Sequence, residues 1–359
     1  MTLPLYRRPE DVTRLGEHGH RGLWYDKFCN QWRMPWNLKP AQGEKGSPKL
    51  SWVNEVTATP VGDASDILAY TQRVERLVSA CGGEVVAVVS QSRFVTGLGR
   101  SHPIENGFAW HPTLGTPYLP GSTLKGLVRA WVEQQSLASQ DDLAEVLGAG
   151  GQAGTVALLD AVPLAPVKLE ADVLTPHYLP WDADNPPADW RSPNPVPFLV
   201  AAPGLQLVCG VIPLSRYAAD HVATVKTWLV DALREMGVGA KTALGYGQFV
   251  PDPRAQRTLD EWRQEREQKA AKATPEGRWR HRLRGLSEQQ VLDLVRTELD
   301  AISDPDEKRA FVRAVLDTGW VAKWSRGEKN YPQTPTGKDK LKQRARAVLA
   351  AAAELGLEH

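Results

Sequence analysis

Residues 237–247 read GVGAKTALGYG, with Gly237, Gly239, Gly245 and Gly247 spaced GxGxxxxxGxG around Lys241 and Thr242. Glycines at this density suit a backbone that turns sharply through positive φ and admits another chain at close range. Beside a lysine, a hydroxyl and Tyr246, the pattern reads as a loop facing an anionic polymer; a simple tight turn accounts for only one or two of the glycines. An apolar helical pattern over Tyr217–Met236 leads into the loop, and a short strand, Gln248–Val250, leaves it. A dinucleotide-binding loop stands directly after a strand, so that reading does not fit.

Working outward, residues 111–133 read HPTLGTPYLPGSTLKGLVRAWVE. The proline and glycine before Ser122 open an amphipathic helix running to Gln135, which brings unpaired N–H groups, the Ser122 and Thr123 hydroxyls and Lys125 together. A helix start of this kind attracts phosphate. The glycine spacing is wrong for a nucleotide-binding P-loop, and the plainer alternative is a capped helix carrying Lys125 and Arg129 as an exposed i, i+4 pair. Ala64–Ala80 has helical periodicity, whereas Glu84–Phe94, Thr155–Val162, Pro197–Ala202 and Leu205–Ile212 have the β-branched density of strands. The order predicts an α+β domain of split βαβ type, βαββαβ, whose four-stranded face is a common RNA-binding surface. Between the strands, Ala165–Pro195 carries five prolines from Pro176 to Pro193 and reads as a projecting irregular hairpin.

Residues 1–60, with Trp24, Tyr25, Phe28, Trp32, Trp36 and Trp52 among turn formers, read as an irregular packed arm. After Arg257 the pattern becomes helical, with a linker expected near 273–277. The organisation is therefore an arm and helix over 1–80, an α+β domain over 81–256 with an insertion near 165–195, and a helical extension over 257–359. From Val250 onward there are 22 Lys+Arg against 18 Asp+Glu, and the run Arg278, Arg280, Arg282, Arg284 is a candidate anion patch, with solvated helix faces as the alternative.

The whole chain has 359 residues, 43 Lys+Arg, 42 Asp+Glu and 42% hydrophobic residues, an ordinary globular balance. Thirteen tryptophans against six phenylalanines hint at stacking or interface surfaces. Cys29, Cys81 and Cys209 lie far apart without CxxC spacing, which excludes a zinc ribbon or disulfide framework and predicts buried reduced thiols. No apolar run has membrane-spanning length and residues 1–10 lack a signal-peptide core, so a cytoplasmic protein is expected, with no cofactor.

The pairing of LPGSTLKGLVRAWVE with GVGAKTALGYGQF resembles the RAMP superfamily of CRISPR systems, whose C-terminal glycine loop has this form. TGLGRSHPIENGFAWHPTLGTPYLPGSTLKGLVR, LLDAVPL, LEADVLTPHY and PVPFLVAAPG, in that order, resemble the sixth-subunit family of type III-B (Cmr) effector complexes. The resemblance covers about residues 85–250, with a fainter match at GLWYDKFCNQW, and does not reach the tail. It implies a ferredoxin-like, RRM-like domain without chemistry of its own. Such a subunit grips guide RNA near the 3′ head end of an antiviral ribonucleoprotein, helps recognise target RNA and contacts other subunits, with no membrane partner.

The implied RNA contacts are Ser122, Thr123, Lys125 and Arg129 first. Gly237, Gly239, Lys241, Thr242, Gly245, Tyr246 and Gly247 come second, then Arg93 and Arg100 beside the TGLG turn, and His111. The resemblance also implies a thumb, with His177, Tyr178 and Trp181 as base-stacking candidates; packing within their own loop is equally open. The competing class is a RAMP-type endoribonuclease processing repeat RNA by histidine acid–base chemistry, for which His18 and His20 in GEHGHRG come first and His111 and His177 next. Thr96–His111 holds Glu105 but no Asp, against the catalytic aspartate of the superfamily's target-cleaving subunits. A third class, a protein-only adaptor, rests on Trp320, Trp324 and Tyr331, for which a small bundle core is the alternative.

Overall fold

The computed structural model describes residues 15–16, 19–33, 37–39, 47–176, 190, 194–215, 218–326 and 335–357. The chain divides into two compact units, Met1–Asp260 and Glu261–His359.

Unit 1 opens with α1 (Arg21–Lys27), the paired β1 (Trp32–Arg33) and β2 (Asn37–Leu38), and α2 (Pro48–Thr57), so the expected irregular arm contains two helices. Each helix has a local cause. The His20 Nδ1 accepts from Leu23 N–H at 2.9 Å, and Ser47 caps a helix whose first residue is Pro48. Both helices press their aromatics inward: Trp24, Tyr25 and Trp52 are buried, Trp24 stacks on Phe28, and Trp52 Nε1 donates to the Tyr25 carbonyl at 3.3 Å.

Next come α3 (Ala64–Ala80), β3 (Glu84–Ser90), the hairpin β4 (Ser101–His102) and β5 (Glu105–Asn106), α4 (Gly121–Gln135) and α5 (Gln140–Leu147). They are followed by β6 (Val156–Leu158), β7 (Val162–Pro163), β8 (Leu169–Leu174), β9 (Val196–Ala201), β10 (Gln206–Pro213), α6 (Ala219–Glu235) and β11 (Phe249–Pro251). The central sheet runs β11-β3-β10-β6, with β7 also on β10 and every pair antiparallel. Because β3 and β6 both oppose β10, they run parallel to each other, joined by the crossover that contains α4. Val86, Val88, Leu207, Cys209 and Val211 share one core with Leu124 and Val128 of α4 and Leu229 and Leu233 of α6. Gly210, alternating with Cys209 and Val211, lies against Val78 of α3 on the other face. Helices thus cover both faces, and the open sheet face that the sequence suggested for RNA is occupied by α3. An interface has to use an end of the sheet.

Three expected strands end differently. Residues after Ser90 leave the sheet, and Phe94 pairs instead with Ala201. Residues 155–162 break into β6 and β7 because Ala161 pairs with Leu119. The apolar 197–202 run pairs with β8, outside the central sheet. Cys29 and Cys209 are buried, which pushes their thiols up to about 11 and about 12, whereas Cys81 is exposed.

The division between units falls inside α7 (Pro253–Ala273). Unit 2 continues through α8 (Pro275–Leu283), α9 (Glu288–Glu298), α10 (Pro305–Asp317), α11 (Trp320–Ser325) and α12 (Pro335–Glu354). The expected linker is a helix start: Thr274 Oγ1 accepts from Gly277 N–H at 3.1 Å, with Pro275 at the first helical position. Trp279, Phe311, Val315, Trp324 and Val348 form the core, and the Trp324 Nε1 donates to Glu288 at 2.9 Å. Trp324 is therefore a core residue; Tyr331 lies outside the described residues. Among the described residues no helix is long and apolar enough to cross a membrane.

Candidate nucleic-acid interface

The strand directions and loop contacts bring the end of β3, the start of β10 and the glycine loop to one end of the central sheet, whereas Leu158, at the end of β6 beside the start of α4, stands opposite Val211 and so at the level of Glu84, where β3 begins. Hydrogen bonds fix the loop beside the end of β3: Gly247 N–H to the Arg93 carbonyl at 2.8 Å, Ala240 N–H to Val95 at 2.8 Å, and Val238 N–H to Gly247 at 2.9 Å. All four glycines have positive φ, and a Cβ at Gly247 would overlap the Val238 carbonyl. The spacing is therefore demanded first by the loop's closure on itself and on β3. Only Gly245 has open space around it, and with Ala243 and Leu244 it forms the exposed tip. Lys241 is also held at a φ of 63°, and its Nζ lies 5.4 Å from the centre of the Phe198 ring on β9.

The start of α4 differs from the expectation of unpaired N–H groups. Gly121 N–H donates to Asp160 Oδ1 at 2.7 Å, and the Thr123 and Leu124 N–H groups both reach the Pro120 carbonyl. A carboxylate already stands at this helix start, so its first N–H group is not free for an anion. Gly121 is required because a Cβ there would overlap the Leu158 carbonyl. Ser122 and Thr123 remain exposed, and Lys125 is half-buried with no ion-pair partner among the described residues. Arg129 instead donates to the Gly148 carbonyl at 2.6 Å, clasping the end of α5.

Arg93 sits beside the glycine loop with its side chain about half exposed. It donates to Asp172 Oδ2 at 3.1 Å and faces Glu170 at 3.4 Å, and Asp172, then Glu170, holds its guanidinium pKa above the ordinary value. Tyr246 Oη donates to the same Asp172 oxygen at 2.6 Å, and burial, first, with this bond raises its phenol pKa. Lys168 reaches Glu170 at 3.2 Å. The cluster thus joins Arg93, Lys168, Tyr246 and Lys241 from the predicted loop, strand end and hairpin. Sequence reading missed Glu170, Asp172 and Asp160, whose alternation in LEADVL and lone position in LLDAV gave no sign of what they face.

Arg100 is exposed in the turn before β4, its N–H bonded to Gly97. His111 is a correction. It is 4% exposed, its Nδ1 accepts from Thr113 and Leu114 N–H groups, and burial lowers its pKa, so it braces the loop before α4 and does not face solvent. His20 Nε2 lies 3.0 Å from the Pro112 carbonyl. His18, His177, Tyr178 and Trp181 lie outside the described residues. In the arginine run of unit 2, Arg278, Arg280 and Arg282 pair with Glu307, Asp317 and Glu298, and Arg284 is exposed at the end of α8. Among the described residues no group of three His, Cys, Asp or Glu side chains is arranged to hold a metal ion.

Residues 87–250, just under half of the chain, match the family model of the RAMP superfamily, over a region of mixed helix and strand. The narrower similarity is to Cmr6, a subunit of type III-B CRISPR systems. Cmr6 of Pyrococcus furiosus is 26% identical over a match covering 45% of this chain and 66% of the relative. Cmr6 of Saccharolobus solfataricus is 29% identical, covering 40% and 48%. The matches thus span just under two thirds of the first relative and about half of the second. Among solved structures, a type III-B Cmr-beta complex bound to cognate target RNA contains a chain with a TM-score of 0.49 at 21% identity, covering 57% of this chain and 71% of that one. Crystalline Cmr6 from Pyrococcus furiosus gives 0.34 at 25% identity, covering 47% and 97%.

Proposed function

We propose that the chain is a non-catalytic RNA-binding subunit of a type III-B CRISPR ribonucleoprotein. It grips the guide RNA backbone near the 3′ head end of the complex and supports target RNA recognition in cytoplasmic antiviral defence. The observation that carries this reading is the closure of the glycine loop on the end of β3 beside Arg93, in a RAMP domain similar to Cmr6 from two organisms. We read the β11-β3-β10-β6 order with helices α4 and α6 as a ferredoxin-like βαββαβ core. The β8–β9 pair is then the stem of the thumb, residues 1–80 an arm, and residues 257–359 an extension.

Lysines, an arginine and loop hydroxyls recognise phosphate and sugar without selecting bases, which is what a guide of variable sequence requires, because pairing carries the sequence information. Three of the described histidines argue against the endoribonuclease alternative. The His102 side chain and His111 are buried, with His102 lowered to about 4 by desolvation, and His20 is engaged by backbone carbonyls. Purification of the tagged protein from its host, with sequencing of bound RNA and identification of co-purifying proteins, tests the reading. Related subunits with short RNAs sharing a constant 5′ end support it. Recovery of the chain alone with repeat RNA contradicts it.

A further inference from the structure

The Asp172 carboxylate accepts one hydrogen bond from the Arg93 guanidinium and one from the Tyr246 hydroxyl, with Glu170 completing the arginine's surroundings. A tetrahedral anion with several acceptor oxygens satisfies the same donors, and arginine with a hydroxyl is a common phosphate-binding pair. The pair is open to water, since the Arg93 side chain is 47% exposed and that of Asp172 is 18% exposed. Ion pairs this exposed exchange readily. Lys241 lies over Phe198, which faces Asp172 directly in the β8–β9 register, and Lys168 stands on Glu170. Three cations and two carboxylates therefore gather around one spot between the glycine loop and the β8–β9 pair, leaving one positive charge over.

We propose that this cluster is a phosphodiester-binding site in which Asp172 holds the place of an RNA phosphate, Arg93 and Tyr246 being the groups that exchange the carboxylate for the phosphate, with Lys241 adding positive charge from the glycine loop. The proposal rests on the RNA-binding reading above and adds to it a named site and a built-in competitor. Arg93 and the loop are then kept in a binding geometry before RNA arrives, and RNA without a phosphate positioned at this spot gains nothing from them. Asp172 is a positioning residue here: it touches the groups that touch RNA.

The test measures binding of a labelled oligouridylate by the purified full-length chain over a salt series. Asp172→Asn keeps an acceptor for the Tyr246 hydroxyl and removes the competing charge. It is expected to tighten binding several-fold and to steepen the log–log salt slope by about 0.7, one single-strand phosphate contact. Arg93→Ala in the Asp172→Asn background is expected to abolish the gain. Glu133→Gln, an exposed carboxylate in the last turn of α4, removes the same charge far from the cluster and is expected to change little. Equal tightening by Glu133→Gln, or unchanged or weaker binding by folded Asp172→Asn, overturns the exchange site while leaving RNA binding intact. Failure of the unsubstituted chain to bind at all overturns the RNA-binding reading and the site with it.

Discussion

In α8, Arg278, Arg280 and Arg282 each reach a carboxylate within unit 2, while in unit 1 Lys125 has no such partner among the described residues and Lys241 lies over an aromatic ring. The arginine run is the denser basic segment in sequence, yet three of its four arginines pair with Glu307, Asp317 and Glu298. Cation density therefore says little about which surface takes an anion. What differs is the setting of the pair: the paired arginines are about half exposed in both regions, but at Arg93 the same carboxylate oxygen also takes the Tyr246 hydroxyl, beside the glycine loop.

The difference between the two regions is open to test at several scales. Gly247→Ala forces a side chain onto the Val238 carbonyl at positive φ, and a loss of about 2–5 kcal/mol in urea unfolding is expected, together with loss of RNA binding. Gly245→Ala, with open space around it, is expected to cost only about 1–2 kcal/mol.

Acid acts on unit 1 through His102. Its Nε2 lies 2.9 Å from the Tyr25 carbonyl and its Nδ1 accepts from Ile104 N–H, so the folded chain holds the neutral ring. The folded pKa of about 4 lies below the ordinary 6.5, so this contribution is complete above pH 6.5 and is lost as pH falls toward 4. The loss amounts to about 3 kcal/mol. Urea midpoints measured across this range should fall accordingly, and His102→Gln should flatten the fall.

Lys125→Ala with Lys241→Ala is expected to lower RNA affinity about tenfold, uniformly across sequences, and to make the salt slope shallower by about 1.4, two single-strand contacts. A sequence-selective loss would break the backbone-grip account. The smallest effect belongs to α8. Replacing Arg278, Arg280 and Arg282 with Gln should leave the salt slope unchanged and cost about 0–1 kcal/mol per exposed pair. A slope that falls by two or more would reverse the comparison.

Much of unit 1 was legible because its signals are local. The periodicity of 64–80, the PGSTLK helix start and the strands at 197–202 and 205–212 form near their expected bounds, whereas 84–94 stops at Ser90 and 155–162 breaks in two. What escaped depends on distant partners. Residues 197–202 have the apolarity of a central strand, but β8 takes their hydrogen bonds; Asp160 reads as a lone acid until its 39-residue separation from Gly121 is closed. The glycine spacing signals a sharply turning loop, but much of its need for positive φ is internal closure, which the sequence does not show. His111 looked available because sequence gives burial only through periodicity, and a loop has none. In the tail, Thr274-Pro275 looked like a linker because proline marks both breaks and helix starts.

Photocrosslinking of bound RNA to the full-length chain, with the attached peptides identified by mass spectrometry, tests the central claim most directly. The account predicts crosslinked peptides spanning Arg93–Arg100, Ser122–Lys125 and Lys241–Tyr246. Crosslinks confined to α8 or to the α3 face of the sheet, with none at the glycine loop, would contradict it.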